Sequence, residues 1–255
     1  LITAILLYPL MLAMLQRAAG LSRRLLDSNL SLMRSLGNAI AKRDSDTDAH
    51  NYRVTLYAAA LAEAMELPRS EIADLVAGAF LHDVGKIGIP DSILLKPGKL
   101  TDDEFRIMKT HAVLGVEIVA GNPWLAGAAL TIRHHHEWFN GSGYPDGLHG
   151  NAIPQLARIF AVVDVFDALT SERPYKKSMA LNDAISILEG DIDLHFDPEV
   201  VAAFTQIASD LYVVTYQAES SELRKRVHEL LIRYFRTEAE SEVGTRCGTP
   251  LRFFL

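Results

Sequence analysis

The chain has 255 residues, 49% of them hydrophobic, and a formal net charge of −7. It can bury one sizeable core, and it is too acidic for a general binder of DNA or RNA polymers, which needs a broad basic surface. A single cysteine, Cys247, excludes an internal disulfide and any thiolate metal cluster, which leaves imidazole and carboxylate as metal ligands.

The first fifteen residues, LITAILLYPLMLAML, carry no charge and are followed by Arg17, Arg23 and Arg24. That is the pattern of a membrane helix meeting the cytoplasm. Because a full span needs roughly 20 apolar residues, the segment is expected to be the inner end of a membrane helix cut off upstream. A buried helix or a signal-peptide core is the alternative. Between Leu21 and Ala41, the positions Leu26, Leu30, Met33, Gly37 and Ile40 step by four and three. This heptad spacing fits a two-helix stalk between two copies, and equally an amphipathic helix lying on its own domain.

From Asp44 to about Asp210, apolar periodicity predicts helices at 47–66, 70–83, 102–120, 123–138, 154–170 and 197–210, with no competing strand alternation. The expected fold class is all-α. Thr101 with Glu104 forms a capping box that opens the third helix. The Gly- and Pro-bearing stretches Val84 to Lys99 and Asn140 to Pro154 read as loops or short hairpins, expected to face the site. Beyond Asp210 comes an apolar patch, LYVVTY, and then a charged helix candidate from Ser220 to Glu242. The organisation is therefore 1–43, truncated transmembrane helix and helical linker; 44–210, a helical domain; 211–255, C-terminal helix and tail.

The chemistry lies in LHDVGKIGIP at positions 81 to 90 and in HHHE at 134 to 137. Adjacent nitrogen and oxygen donors beside a lysine are the inventory of a multinuclear metal site that cuts phosphate esters. His82 and Asp83, as neighbours on a helix, would point about 100° apart, so other segments must close the shell. Asp83 is the natural bridging ligand, and His50, His111, His135, His136 and Asp164 are the candidates to join it. His149, His195 and His228 have nothing nearby to complete a shell and read as structural. Asp167, one turn from Asp164, is either an acceptor orienting a ligand or a helix-stabilising charge.

Taken in order, His50 in AHNYRV, His82 and Asp83 in HDVGK, His111 in KTHAVLG, HHHEWFNGSGYPDGL at 134 to 148 and DVFDALTSERPYK at 164 to 176 resemble the successive motifs of the HD-GYP family. That family belongs to the HD phosphohydrolase superfamily, and the resemblance runs from about Asp44 to Phe204. It implies an HD-domain helical bundle that hydrolyses cyclic di-GMP to linear pGpG, in some members on to GMP, in bacterial second-messenger signalling. It also implies a pair of divalent cations, iron or manganese. His50, His82, Asp83 and Asp164 would hold one, and Asp83, His111, His135 and His136 the other.

By the same resemblance Lys86, Arg173 and Lys176 match phosphate-contacting positions, with Lys86 also a candidate to assist the departing oxygen. Tyr144 would stack near a guanine or shape its loop, and Glu137 would orient an imidazole, with His134 a flanking residue. Asp46, four residues before His50, stands where some members carry a glutamate that ligates a third metal; the alternative is a solvated first-turn acid. Trp138 replaces the usual Lys or Arg, and Asp193 a frequent glycine before HFDP. The partners expected are cyclic di-GMP, an upstream sensor region of the same chain, a second copy through the stalk, and the bacterial inner membrane with the catalytic domain on its cytoplasmic side. A catalytically silent receptor and an HD phosphohydrolase for another nucleotide are the competing functions; the intact ligand set and the GYP and RPYK segments argue against them.

Overall fold

The computed structural model describes residues 2–43, 48–172, 178–216 and 218–235. In chain order these form α1 (Ile2–Ala41), α2 (Asp48–Ala64), α3 (Arg69–Leu81), a 3-10 turn (Val84–Gly88), α4 (Asp91–Leu94), α5 (Asp102–Lys109) and α6 (His111–Val119). There follow α7 (Ala128–His134), α8 (Gln155–Thr170), α9 (Leu181–Gly190), α10 (Pro198–Thr215) and α11 (Ser220–Phe235). Among the described residues there is no strand; two isolated bridges, Asn140 with His149 and Ile192 with Phe196, tie loops together.

The centre is built by α2, α3 and α8, whose apolar residues recur on nearly every face because each helix is covered on several sides. Val54, Leu61, Leu75, Phe80, Phe160 and Phe166 are buried there, and removal of this apolar surface from water drives the packing. Phe204 of α10 closes the core edge-on against Phe166, with ring centroids 4.8 Å apart. Leu223, Val227, Leu230 and Leu231 of α11 belong to the same buried cluster, as do Leu30, Met33 and Ile40 of α1. The stripe through Leu30, Met33 and Ile40 therefore lies on its own domain: a Cβ at Gly37 would come within 2.4 Å of the Phe80 ring, so the absent side chain lets α1 sit on α3.

The membrane expectation is corrected. Among the described residues no helix is long and apolar enough to cross a membrane. Helix α1 continues from the apolar run into Arg17, Arg23 and Arg24, which thins its apolar content, and Pro9 lies inside it. Neither an inner-membrane location nor a membrane-proximal helix is supported.

Other boundaries differ for local reasons. The helix expected over 102–120 is two. The capping box of Thr101 and Glu104 opens α5, which ends in a tight turn where Thr110 N–H and its hydroxyl both donate to the Ile107 carbonyl, and α6 restarts at His111. The 123–138 helix shortens to α7 after a 3-10 turn at Pro123. The 84–99 segment is a 3-10 turn and a short helix, not a hairpin. Helix α9 was not expected, although Leu181, Ala184, Ile185 and Leu188 have helical spacing and Ala184 and Leu188 are buried. Asp193 adopts φ 63, the left-handed conformation that glycine takes most readily.

Candidate active site

His82 caps the end of α3, and Asp83 stands just outside it at φ −95, ψ 7, at the head of the 3-10 turn; the pair is thus at a helix end and not within a helix. The turn lies close against α6: a Cβ at Gly85 would be 1.8 Å from the His111 carbonyl oxygen and 2.4 Å from the Gly115 nitrogen. Glycine there is what lets Asp83 and His111 approach.

Three imidazoles are oriented alike. His82 Nδ1 lies 2.9 Å from the Ala79 carbonyl, His111 Nδ1 2.8 Å from that of Met108 and His135 Nδ1 2.9 Å from that of Ile132. A carbonyl oxygen only accepts, so each Nδ1 carries the proton and each Nε2 turns inward. His50 is fixed by a carboxylate: its Nδ1 donates to Asp167 Oδ2 at 2.8 Å. Arg53 grips the same carboxylate through Nε at 2.5 Å and Nη2 at 2.9 Å, and Nη2 also reaches Ser171 Oγ at 2.7 Å.

The inward atoms form two groups. His50, His82 and Asp164 each offer a ligand atom within 4.8 Å of the others, and so do His111, His135 and His136. Asp83 lies between them, with Oδ2 3.0 Å from His82 Nε2 and Oδ1 3.5 Å from His111 Nε2. Lys86 Nζ reaches Asp83 Oδ2 at 2.8 Å. His50, His82, Asp83, Lys86, His136, Asp164 and Ala168 line a cleft of about 190 Å³.

Electrostatics match a cation-accepting site. Burial pushes His136 down to about 3 and His135 well below the ordinary imidazole range, and adjacent imidazoles add to both effects. These rings therefore stay neutral, with lone pairs to give. Burial opposes the ionised form of Asp83, but His82 and Lys86 hold it well below the carboxylate range. His82 shows the reciprocal effect: against burial, Asp83 lifts it to about 9. Neutral His135 and His136 beside an ionised Asp83, with a His82 proton that a cation would displace, are a donor set that fits divalent cations.

Tyr144 stacks on His136 at 4.7 Å between centroids and donates its backbone N–H to the His136 carbonyl at 3.1 Å. Its loop passes so close that a Cβ at Gly143 would lie 2.2 Å from the Trp138 nitrogen. Glu137 has a different role from the one expected. The imidazole nearest to it, His134, keeps Nδ1 3.8 Å from Oε1; its buried carboxylate accepts from the backbone N–H groups of Asp146, Gly147 and Leu148 at 2.7, 3.1 and 3.1 Å and so anchors the Gly143–Tyr144–Pro145 loop. His134, Glu137 and Asp146 also converge, but Glu137 is committed to those amides and Asp146 to a bidentate pair with Arg133 at 2.8 Å. Trp138 stacks on His195 at 4.4 Å, and His195 on Phe196 at 4.2 Å.

The structure thus gathers His50, His82, Asp83, Lys86, His111, His135, His136, Tyr144 and Asp164. Asp46, Arg173 and Lys176 lie outside the described residues. Sequence reasoning missed Arg53, whose signal is its place one turn beyond His50 on α2, and left the role of Asp167 open.

An all-α bundle that brings imidazoles and carboxylates from separate helices around one carboxylate at a helix end has the construction of an HD-type domain. A match to the HD domain family runs over residues 34–200, and the chain belongs to that family, with its HD-GYP motifs inside the matched segment. It is 42% identical over 221 residues to the cyclic di-GMP phosphodiesterase response regulator RpfG of Xanthomonas campestris, covering 83% of this chain and 58% of that protein. It is 43% identical over 188 residues to a cyclic di-GMP phosphodiesterase of Vibrio cholerae, covering 68% and 38%, and 42% identical over 183 residues to one of Thermotoga maritima, covering 71% and 49%. The chain spans about half the length of these curated relatives. Among solved structures, a cyclic GMP-AMP-specific phosphodiesterase of V. cholerae, V-cGAP3, superposes with a TM-score of 0.63 at 20% identity over 83% of this chain and 56% of that one, a likeness of fold.

Proposed function

We propose that the protein is a metal-dependent phosphodiesterase that hydrolyses cyclic di-GMP to linear pGpG or GMP in bacterial second-messenger signalling. The observation that carries the reading is Asp83, with one oxygen toward each of two three-donor groups and Lys86 Nζ at 2.8 Å. Names of relatives at 42–43% identity agree with it.

His50, His82, Asp83 and Asp164 would hold one divalent cation, and Asp83, His111, His135 and His136 a second, with iron or manganese the metals proposed. Such cations acidify water and polarise phosphoryl oxygens. The chain supplies the rest. Its Nδ1 bonds keep each Nε2 aimed inward without reorganisation. Lys86 Nζ offers positive charge to the phosphoryl group and a proton to the departing ribose oxygen. Tyr144 gives an aromatic wall beside the cleft, and Arg173 and Lys176 are proposed to bind phosphate. Asp46 is proposed as ligand of a third cation.

In the organisation proposed, residues 44–210 form the catalytic unit between the linker 1–43 and the segment 211–255, and the linker connects to a sensor region. A second copy of the chain is proposed along the other stripe of α1. Leu7, Met11, Met14, Ala18, Leu21, Leu25 and Leu32 are exposed and keep heptad spacing through Ser28. If they occupy seam positions, Leu26, Leu30, Met33 and Ile40 fall on the opposite side of the helix, where the domain sits.

A second reading, cleavage of 3'3'-cGAMP, is favoured by a V. cholerae relative named 3'3'-cGAMP-specific phosphodiesterase 2, 42% identical over 178 residues. The test is to load the protein anaerobically with Fe(II) or Mn(II), count metals per chain, and offer cyclic di-GMP and 3'3'-cGAMP with chromatographic separation of products. The proposal expects pGpG or GMP from cyclic di-GMP. Turnover of 3'3'-cGAMP alone would move the assignment to that substrate, and binding without turnover under both metals would make the domain a receptor.

A further inference from the structure

Arg43 follows α1 by two residues, and its guanidinium reaches back into the turn that carries Lys86. Nη1 donates to the carbonyls of Lys86, at 3.1 Å, and of Ile87; Nη2 donates to that of Ile89 at 2.7 Å. Nε and Nη2 also reach Asp91 Oδ1 at 3.1 and 2.7 Å. One side chain thus donates to three carbonyls at the end of a helical turn, where the last backbone oxygens run short of intrahelical donors, although Lys86 O also takes the Ile89 N–H, and it ties them to the start of α4.

We propose that Arg43 is a positioning residue for catalysis: it fastens the end of α1 to the Val84–Gly88 turn and thereby sets where the Lys86 ammonium stands against Asp83. The inference rests on the role given above to Lys86. Two sides of the turn need holding. One packs on α6 through Gly85, where no side chain could be admitted. On the other Ile87 is 40% exposed, and Arg43 is what bonds that side's carbonyls. Internal bonding of the turn runs from Lys86 N to Asp83 O and from Ile89 N to Lys86 O, so the residues whose carbonyls Arg43 binds include the one whose side chain reaches the cleft.

Lysine cannot replace this arrangement, because a single ammonium does not span three carbonyls and a carboxylate as a planar fork does. The ion pair with Asp91 is itself of small value to stability, since the Asp91 side chain is 69% exposed. Loss of Arg43 should therefore displace the turn while the helical core persists. The placement also means that any shift of α1, whose inner stripe of Leu30, Met33 and Ile40 rides on the domain, is transmitted to Lys86.

The test compares the wild type with Arg43→Ala, Arg43→Lys and Asp91→Asn, each fully metal-loaded, by kinetics on cyclic di-GMP and by amide hydrogen exchange of residues 84–89. Arg43→Ala is expected to lower kcat about tenfold or more with KM within about twofold, to leave metal content and melting temperature unchanged, and to speed exchange in the turn while α2 and α3 stay protected. Arg43→Lys should not rescue it, and Asp91→Asn should have a smaller effect. Unchanged exchange, or faster exchange with unchanged kcat, overturns the proposal, as does a kcat loss that follows metal loss or global unfolding. If the wild type does not turn over cyclic di-GMP, the substrate assignment fails; the exchange measurement still decides whether Arg43 holds the turn.

Discussion

The Asp167 carboxylate accepts a hydrogen bond from His50 Nδ1 at 2.8 Å at a position with no solvent exposure. Burial alone would raise its pKa, yet the bonds from His50 and Arg53 hold it down at about 2. It is thus an ionised buried acceptor that fixes one imidazole of the first donor group and, through Arg53, the Ser171 hydroxyl at the end of α8.

Replacing Asp167 by Ala should act twice. The Arg53 guanidinium loses its bidentate carboxylate, which costs about 3 kcal/mol, and His50 loses its orientation, which should weaken metal binding roughly 10- to 100-fold. Urea denaturation and competition with a metal chelator measure the two effects. Undiminished metal affinity in a folded variant would show that Asp167 is structural only.

Glu137 offers a comparable test away from the metal-binding atoms. Truncation to Ala strands the amides of Asp146, Gly147 and Leu148 and should cost about 2–3 kcal/mol, with increased protease sensitivity confined to residues 140–150. Because Tyr144 stacks on His136 from this loop, turnover should fall with it. A variant as stable as the wild type would contradict the anchoring role.

Burial between Trp138 and Phe196 lowers His195 to about 4 from the ordinary value of 6.5. Between those values the unfolded chain binds a proton that the folded chain does not, so this contribution to stability is complete above pH 6.5 and is lost as the pH falls toward 4. His195→Phe preserves the stack and should flatten the stability profile over that window. Parallel denaturation curves at pH 7 and pH 5 supply the comparison, and an unchanged slope would remove His195 as the cause.

The exposed stripe of α1 predicts self-association. Light scattering on the full chain should give the mass of a dimer, and Leu21→Glu with Leu25→Glu should halve it while leaving the fold intact, since both side chains point away from the core. A wild-type monomer at micromolar concentration would dismiss the seam.

Much was legible before any coordinates. Helical period showed in α2, α3, α8 and α10, and the capping box of Thr101 and Glu104 was recognised as it occurs. What was lost was lost where local signals are shared by several outcomes. The step of four and three through Leu26 to Ile40 is the same whether the surface it meets is a second helix or α3, and only the absence of a Cβ at Gly37 beneath Phe80 distinguishes them. An uncharged run beside arginines suggests a membrane by composition, whereas no described helix combines the length and apolar content of a span. Glu137 looked like a partner for the histidines beside it in sequence, but the amides it serves come from a loop that doubles back nine to eleven residues later.

By itself the sequence determined the kinds of atom available: with one cysteine and histidines concentrated between positions 82 and 136, any cation here must be met by nitrogen and oxygen, and helical spacing fixed which residues share a face. The tertiary structure alone decided which of them meet. His50, Asp83, His111, His135 and Asp164 are separated by as many as 114 positions, and spacing along a chain carries no information about distances across a core. Those distances are set by where glycines such as Gly85 let two backbones touch and by which carbonyl each imidazole finds.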